Sequence, residues 1–271
     1  MSYFKSLLKF IQAKSLLIEK RVRFVLSAFF LTLLMLISTF FLFENALIVI
    51  LLVILIGYIL TYFSLLEGIE QIEWFTLFFM PIALMLSFYL FYFLFPVRWL
   101  TRVPFVVLFG VSIYAILLCS NIFNVGVEKS LQLYRAAFSI NFFYQAVVSF
   151  LLFNTLLSFK LIFFLNTLLV AILVFLLSYQ LLWSVKLNLK FERALVLLSL
   201  FIAIVIGELT LIFSFVPIKS TIFALFLTSS YYSLSGLIFN YLDQRLFKET
   251  IREYVMVWVV VLIITILSIN W

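Results

Sequence analysis

The stretch "ALVLLSLFIAIVIGELTLIFSFV", Ala194–Val216, decides the fold. It holds a single ionisable side chain, Glu208. A helix of that length rises about 34 Å, enough to cross the roughly 30 Å hydrocarbon core of a bilayer. Runs of the same kind recur along the chain. Of its 271 residues 67% are hydrophobic and 11% charged, with a mean hydropathy of +1.33. Water-soluble domains carry about 25% charged residues, so this composition specifies a polytopic membrane protein. Nine apolar spans are expected, at 23–43, 46–66, 75–95, 104–123, 137–158, 161–184, 194–216, 221–242 and 254–269. The expected fold is an all-α transmembrane helix bundle over 23–271, a single domain with no soluble module.

Ahead of the first span lies "MSYFKSLLKFIQAKSLLIEKRVR". Phe4, Leu7, Leu8, Ile11 and Ile18 recur at helical spacing, with Lys5, Lys9 and Lys14 elsewhere on the wheel. Residues 1–22 therefore read as a basic amphipathic helix lying on the membrane, or as a basic tail that sets topology. No small-residue cleavage site follows, so a cleavable signal is not expected. Basic residues orient the bundle. With the N-terminus inside, fourteen of the eighteen Lys and Arg fall on inner segments, and only Arg98, Arg102, Lys160 and Lys219 fall outside. Nine spans then leave the C-terminus outside. Tryptophans near the predicted interfaces agree with this arrangement. The lipid bilayer is the expected partner, and a cell membrane the expected location.

Composition also removes chemistry. There is no histidine, one cysteine (Cys119) and one aspartate (Asp243). The usual general base, the commonest zinc ligand and intrachain disulfides are thereby absent. No phosphate-binding glycine loop or Gly-x-Ser-x-Gly elbow occurs. No catalytic residues, cofactor, metal or nucleic-acid partner is expected. A retinal-type Schiff base is excluded because no lysine lies within a span.

What remains is where polar groups gather. Glu208 lies near mid-span, where an acid costs roughly 2.5–3.5 kcal/mol on insertion scales. It is therefore expected to face protein or trapped water. On the same span Ser199, Ala203, Gly207, Thr210 and Ser214 form a small-residue stripe suited to close helix approach, and Glu208 lies off it. The following span offers Thr228, Tyr232 and Ser235 on one face, at a depth where a hydroxyl could meet Glu208. The fifth span aligns Asn141, Gln145 and Ser149; the sixth places Asn166 and Gln180 on one face. These groups either join helices across a dry bundle or line a cavity in which Glu208 binds a cation or relays a proton. A second candidate is the inner turn "EGIEQIEW", where Glu67, Glu70 and Glu73 form an acidic patch that could meet basic loops, a hard cation or a partner. A solvated interfacial turn is the simpler reading.

The segments "GELTLIFSFVP", "SSYYSLSG" and "RLFKETIREYV" resemble a family of bacterial polytopic inner-membrane proteins with no assigned activity. The resemblance covers about residues 207–255, with Glu208, Pro217, Tyr231, Tyr232, Gly236, Arg245 and Glu253 as the family-like positions. It implies a bacterial inner membrane and no substrate. Three functional readings follow. The first is a structural, accessory or assembly subunit of a membrane complex. The second is a small-solute or cation transporter or channel built on Glu208 and the polar faces of spans five to eight. The third, a lipid-modifying enzyme, lacks the usual Asp, His or metal-binding pairs.

Overall fold

The computed structural model describes residues 18–40, 46–66, 74–94, 98–125, 131–185 and 192–269. Among them are nine helices long and apolar enough to cross a membrane. They are α1 (Lys20–Ser38), α2 (Ala46–Leu65), α3 (Trp74–Tyr92), α4 (Trp99–Val125), α5 (Leu131–Ser158), α6 (Phe163–Trp183), α7 (Arg193–Phe213), α8 (Ser220–Leu242) and α9 (Lys248–Leu267). The protein is a polytopic helical membrane protein. Helices α4, α5 and α9 begin five or six residues before their apolar runs. The interfacial turns there carry charge, and in α4 Pro104 falls inside the helix without ending it, so the backbone largely goes on satisfying its own hydrogen bonds into the headgroup region. Residues 1–17 and the acidic turn with Glu67, Glu70 and Glu73 lie outside the described residues.

The chain gathers into two compact units, 1–141 and 142–271, that divide within α5. In the first, α1, α2, α3 and α4 pack in order around a ring, closed by α4 against α1. Short links make chain neighbours antiparallel partners, as expected for a bundle. The core of this unit is aromatic: Phe88 packs edge-on against Phe109 at 5.5 Å, and Tyr92 tilts against Phe105 at 5.4 Å. Polar ties cross it as well. Ser27 Oγ donates to the Leu60 carbonyl at 3.2 Å, and Asn124 Nδ2 to the Leu65 carbonyl at 3.1 Å.

In the second unit α6 packs most extensively on α7, α7 also packs on α8, and α9 packs on α8. The small-residue stripe explains the α6–α7 pair. Ser199, Ala203, Gly207 and Thr210 are all buried, and a Cβ at Gly207 would stand only 3.4 Å from Ala171 Cβ. The hydroxyls on this stripe are satisfied inside their own helix, Ser199 to Leu195 and Thr210 to Ile206, each at 2.8 Å. They act as small residues, not as donors to a neighbour. The α8–α9 turn closes in a left-handed cap. Gln244 sits at φ 57°, the Arg245 N–H reaches the Asn240 carbonyl at 2.8 Å, and the Gln244 N–H reaches Tyr241 at 3.2 Å. That is the paired bonding of a Schellman motif, with glutamine where glycine is usual.

Candidate functional site

The polar groups of the second unit converge on Gln145, which is fully buried in α5. Its Nε2 donates to the Leu177 carbonyl at 3.1 Å and to Gln180 Oε1 at 2.5 Å. Its Oε1 accepts from the Tyr231 hydroxyl at 2.5 Å. One amide thus ties α5 to α6 and α8. Both amide hydrogens and the carbonyl are used, so the group has little capacity left for a ligand. Gln145 is where the sequence places it, on the polar face with the buried Asn141 and Ser149.

The partner from α8 differs from expectation. Tyr231 is fully buried and reaches Gln145, whereas Tyr232 is half-buried and stacks on Phe142 at 4.6 Å with an interplanar angle of 17°. Thr228, Tyr231 and Ser235 share a helix face as well as Thr228, Tyr232 and Ser235 do. Only the position of Gln145 decides which tyrosine turns inward. Ser235 is buried and donates to its own helix, at the Tyr231 carbonyl, 2.6 Å. Thr228 is buried with no hydrogen bond from its Oγ1 among the described residues. Asn166 is buried too, but it stands fourteen residues before Gln180, about 21 Å along α6, and the two do not meet. Its Nδ2 donates to the Leu161 carbonyl at 3.1 Å, tying down the first turn of α6. It lines a pocket of about 240 Å³ with Leu157, Ser214, Ser220 and Phe223.

Glu208 requires a correction. It is exposed on α7, flanked by the exposed Leu200, Phe201, Ile204, Leu211 and Ile212. No described residue lies within hydrogen-bond or ion-pair distance of its carboxylate, so Thr228, Tyr232 and Ser235 do not serve it. The reason lies on the helical wheel. The stripe of small residues gives α7 its closest packing, and Glu208, well around the helix from that stripe, is turned away from the unit. Helix α7 meets α6 and α8, and among the described residues neither covers the face that carries Glu208.

Two further clusters were not legible in the sequence. On the first unit, Arg102 is only 6% exposed although it counts as an outer basic residue. Its Nε donates to the Tyr92 hydroxyl at 3.1 Å, and Nη2 stands 3.5 Å from the Thr39 carbonyl. The guanidinium lies over the rings of Phe40 and Trp99, at 4.2 and 5.0 Å. Cation–π contact and charge-assisted hydrogen bonds here replace a carboxylate partner. On the second unit, the hydroxyl end of the Tyr254 ring of α9 packs against Gly236, where a Cβ would stand 2.5 Å from its ring carbons. Its hydroxyl is 3.4 Å from Asn240 Nδ2, and its carbonyl accepts from Ser233 Oγ at 3.1 Å. One turn on, Trp258 Nε1 donates to Ser230 Oγ at 2.9 Å. These contacts hold α9 to α8.

No protein-family model matches the chain, and neither a curated protein nor a solved structure is detectably similar to it.

Proposed function

We propose that the protein is an accessory or assembly subunit of a membrane complex, and that the outer face of α7 is where a partner helix docks. The observation that carries this reading is the exposed carboxylate of Glu208 amid large apolar side chains. It lies about 22 Å from the Arg193 end of the helix at 1.5 Å per residue. Left against lipid tails, an acid at that depth costs roughly 2.5–3.5 kcal/mol on insertion scales. A partner helix with a lysine, arginine or hydroxyl at matching depth removes that cost and gains a charge-assisted bond. The apolar flanks supply the packing surface. The distribution of Lys and Arg supports an N-terminus on the cytoplasmic side, and the family resemblance supports a bacterial inner membrane.

The transport alternative needed Glu208 to face the polar groups of spans five to eight. The amide at the centre of those groups, Gln145, is already engaged by Leu177, Gln180 and Tyr231, which favours a fastening role for them.

The test is mild extraction from the native membrane followed by native mass analysis, with a photo-crosslinking residue at Ile204 or Leu211. A second chain in fixed stoichiometry, crosslinked from both positions and lost in Glu208→Leu, is the expected result. A lone monomer without crosslinks would overturn the proposal.

A further inference from the structure

Helix α9 packs on α8 and makes no comparable contact with α7. Of its described residues only Thr265 is buried. This leaves a groove of about 360 Å³, walled by α7 and α9 and floored by α8. Val205, Leu209, Leu234, Leu237, Val255 and Trp258 line it. Ser230 and Ser233 also reach its floor, but their hydroxyls are committed to Phe226 and to the Tyr254 carbonyl. The groove therefore asks for an occupant without hydrogen-bonding groups. By residue counts the lining stands about 8–18 Å from the Leu242 end on α8, about 10–15 Å from the Lys248 end on α9 and about 18–24 Å from the Arg193 end on α7. The groove therefore opens on the Lys248 side and reaches inward to about the middle of the roughly 30 Å hydrocarbon core.

The end of α9 beyond the groove is charged in a distinctive order. Lys248 and Arg252 precede Val255 at i, i+4 and i+7, so both stand on the stripe that enters the groove. Glu249 and Glu253 stand one position round the helix. All four are exposed, and with Met256 they border a shallow depression of about 380 Å³. Among the described residues none of the four is ion-paired; the Arg245–Asp243 pair at 3.2 Å is separate from them. Two cations beside two carboxylates complement a headgroup that carries both charges, a phosphate toward Lys248 and Arg252 and an ammonium toward Glu249 and Glu253. An anionic headgroup would meet the two carboxylates unfavourably.

We infer that the α7–α9 groove is a binding site for one phospholipid with a zwitterionic, ammonium-bearing headgroup, its acyl chain along Leu234 and Trp258 and its headgroup at Lys248–Glu253. The site lies on the side of the membrane that the basic residues assign to the cytoplasm. It stands independently of the partner proposed for Glu208.

The probe is phosphatidylethanolamine or phosphatidylglycerol, added singly to delipidated protein in micelles, with retained lipid counted by native mass spectrometry. The wild type is expected to retain one phosphatidylethanolamine per chain, and at least fivefold less phosphatidylglycerol. Leu234→Trp, which fills the groove, should lower phosphatidylethanolamine retention at least fivefold. Lys248→Gln/Arg252→Gln alters only exposed side chains and should do the same without disturbing the fold. Leu108→Trp, on the exposed face of α4 in the first unit, should leave retention unchanged. Equal retention of the two lipids, or undiminished retention by the exposed-charge double variant, would overturn the assignment.

Discussion

Removing the Tyr231 hydroxyl tests whether the amide node holds the second unit together. Tyr231→Phe leaves the ring in place and strips the donor from Gln145 Oε1. Hydrogen bonds between transmembrane helices average about 0.6 kcal/mol in double-mutant cycles, with a maximum near 1.7. Tyr231→Phe should therefore cost about 0.6–1.7 kcal/mol. Gln145→Leu removes all three bonds and should cost about 2 kcal/mol at the average value and about 5 at the upper end. The double variant loses the shared bond only once. Its cost should fall short of the sum of the single costs by about 0.6–1.7 kcal/mol, the coupling energy of the pair. The assay is reversible unfolding in mixed micelles followed by tryptophan fluorescence; Trp183, 1% exposed and three residues past Gln180, reports on this unit. Costs that add to within about 0.3 kcal/mol would show the two residues to be energetically independent and would refute the node.

Two glycines should respond in opposite ways to the same change. Gly236→Ala drives a Cβ into the Tyr254 ring and should destabilise α9 docking by about 1–3 kcal/mol, read as faster proteolysis within α9 and partly restored by Tyr254→Ala. Gly207→Ala meets Ala171 at an ordinary 3.4 Å and should be neutral or up to about 1 kcal/mol stabilising in the same unfolding assay. Arg102→Lys keeps the charge but loses the planar stack on Phe40 and should cost about 1–2 kcal/mol; an unchanged unfolding midpoint would mean that the stack contributes nothing. Gln244→Gly relieves a left-handed backbone at an exposed cap and should stabilise the α8–α9 hairpin by up to about 1 kcal/mol, seen as slower hydrogen exchange at the Arg245 amide.

The sequence alone determined the class, the number of spans and their places. The cost of burying backbone in lipid without internal hydrogen bonds leaves a run such as Ala194–Val216 no state but helix. The small-residue stripe on that run was equally legible, because Ser199, Ala203, Gly207 and Thr210 recur at a helical period and close approach needs nothing more. Gln145 could be marked as buried from its place between Asn141 and Ser149. Its partner could not, since adjacent tyrosines at 231 and 232 offer the same hydroxyl and differ only by the rotation of α8. Arg102 was counted with the outer charges because nothing local says that Tyr92, Phe40 and Trp99 come together around it. Glu208 was expected to face protein or trapped water, and only tertiary packing turned it outward: α6 takes the small-residue side of α7, α8 packs on it through larger side chains such as Phe213, and Glu208 lies on the face that neither covers. Periodicity reports which faces of a helix differ, whereas the neighbour that each face meets depends on the shapes of all the helices at once.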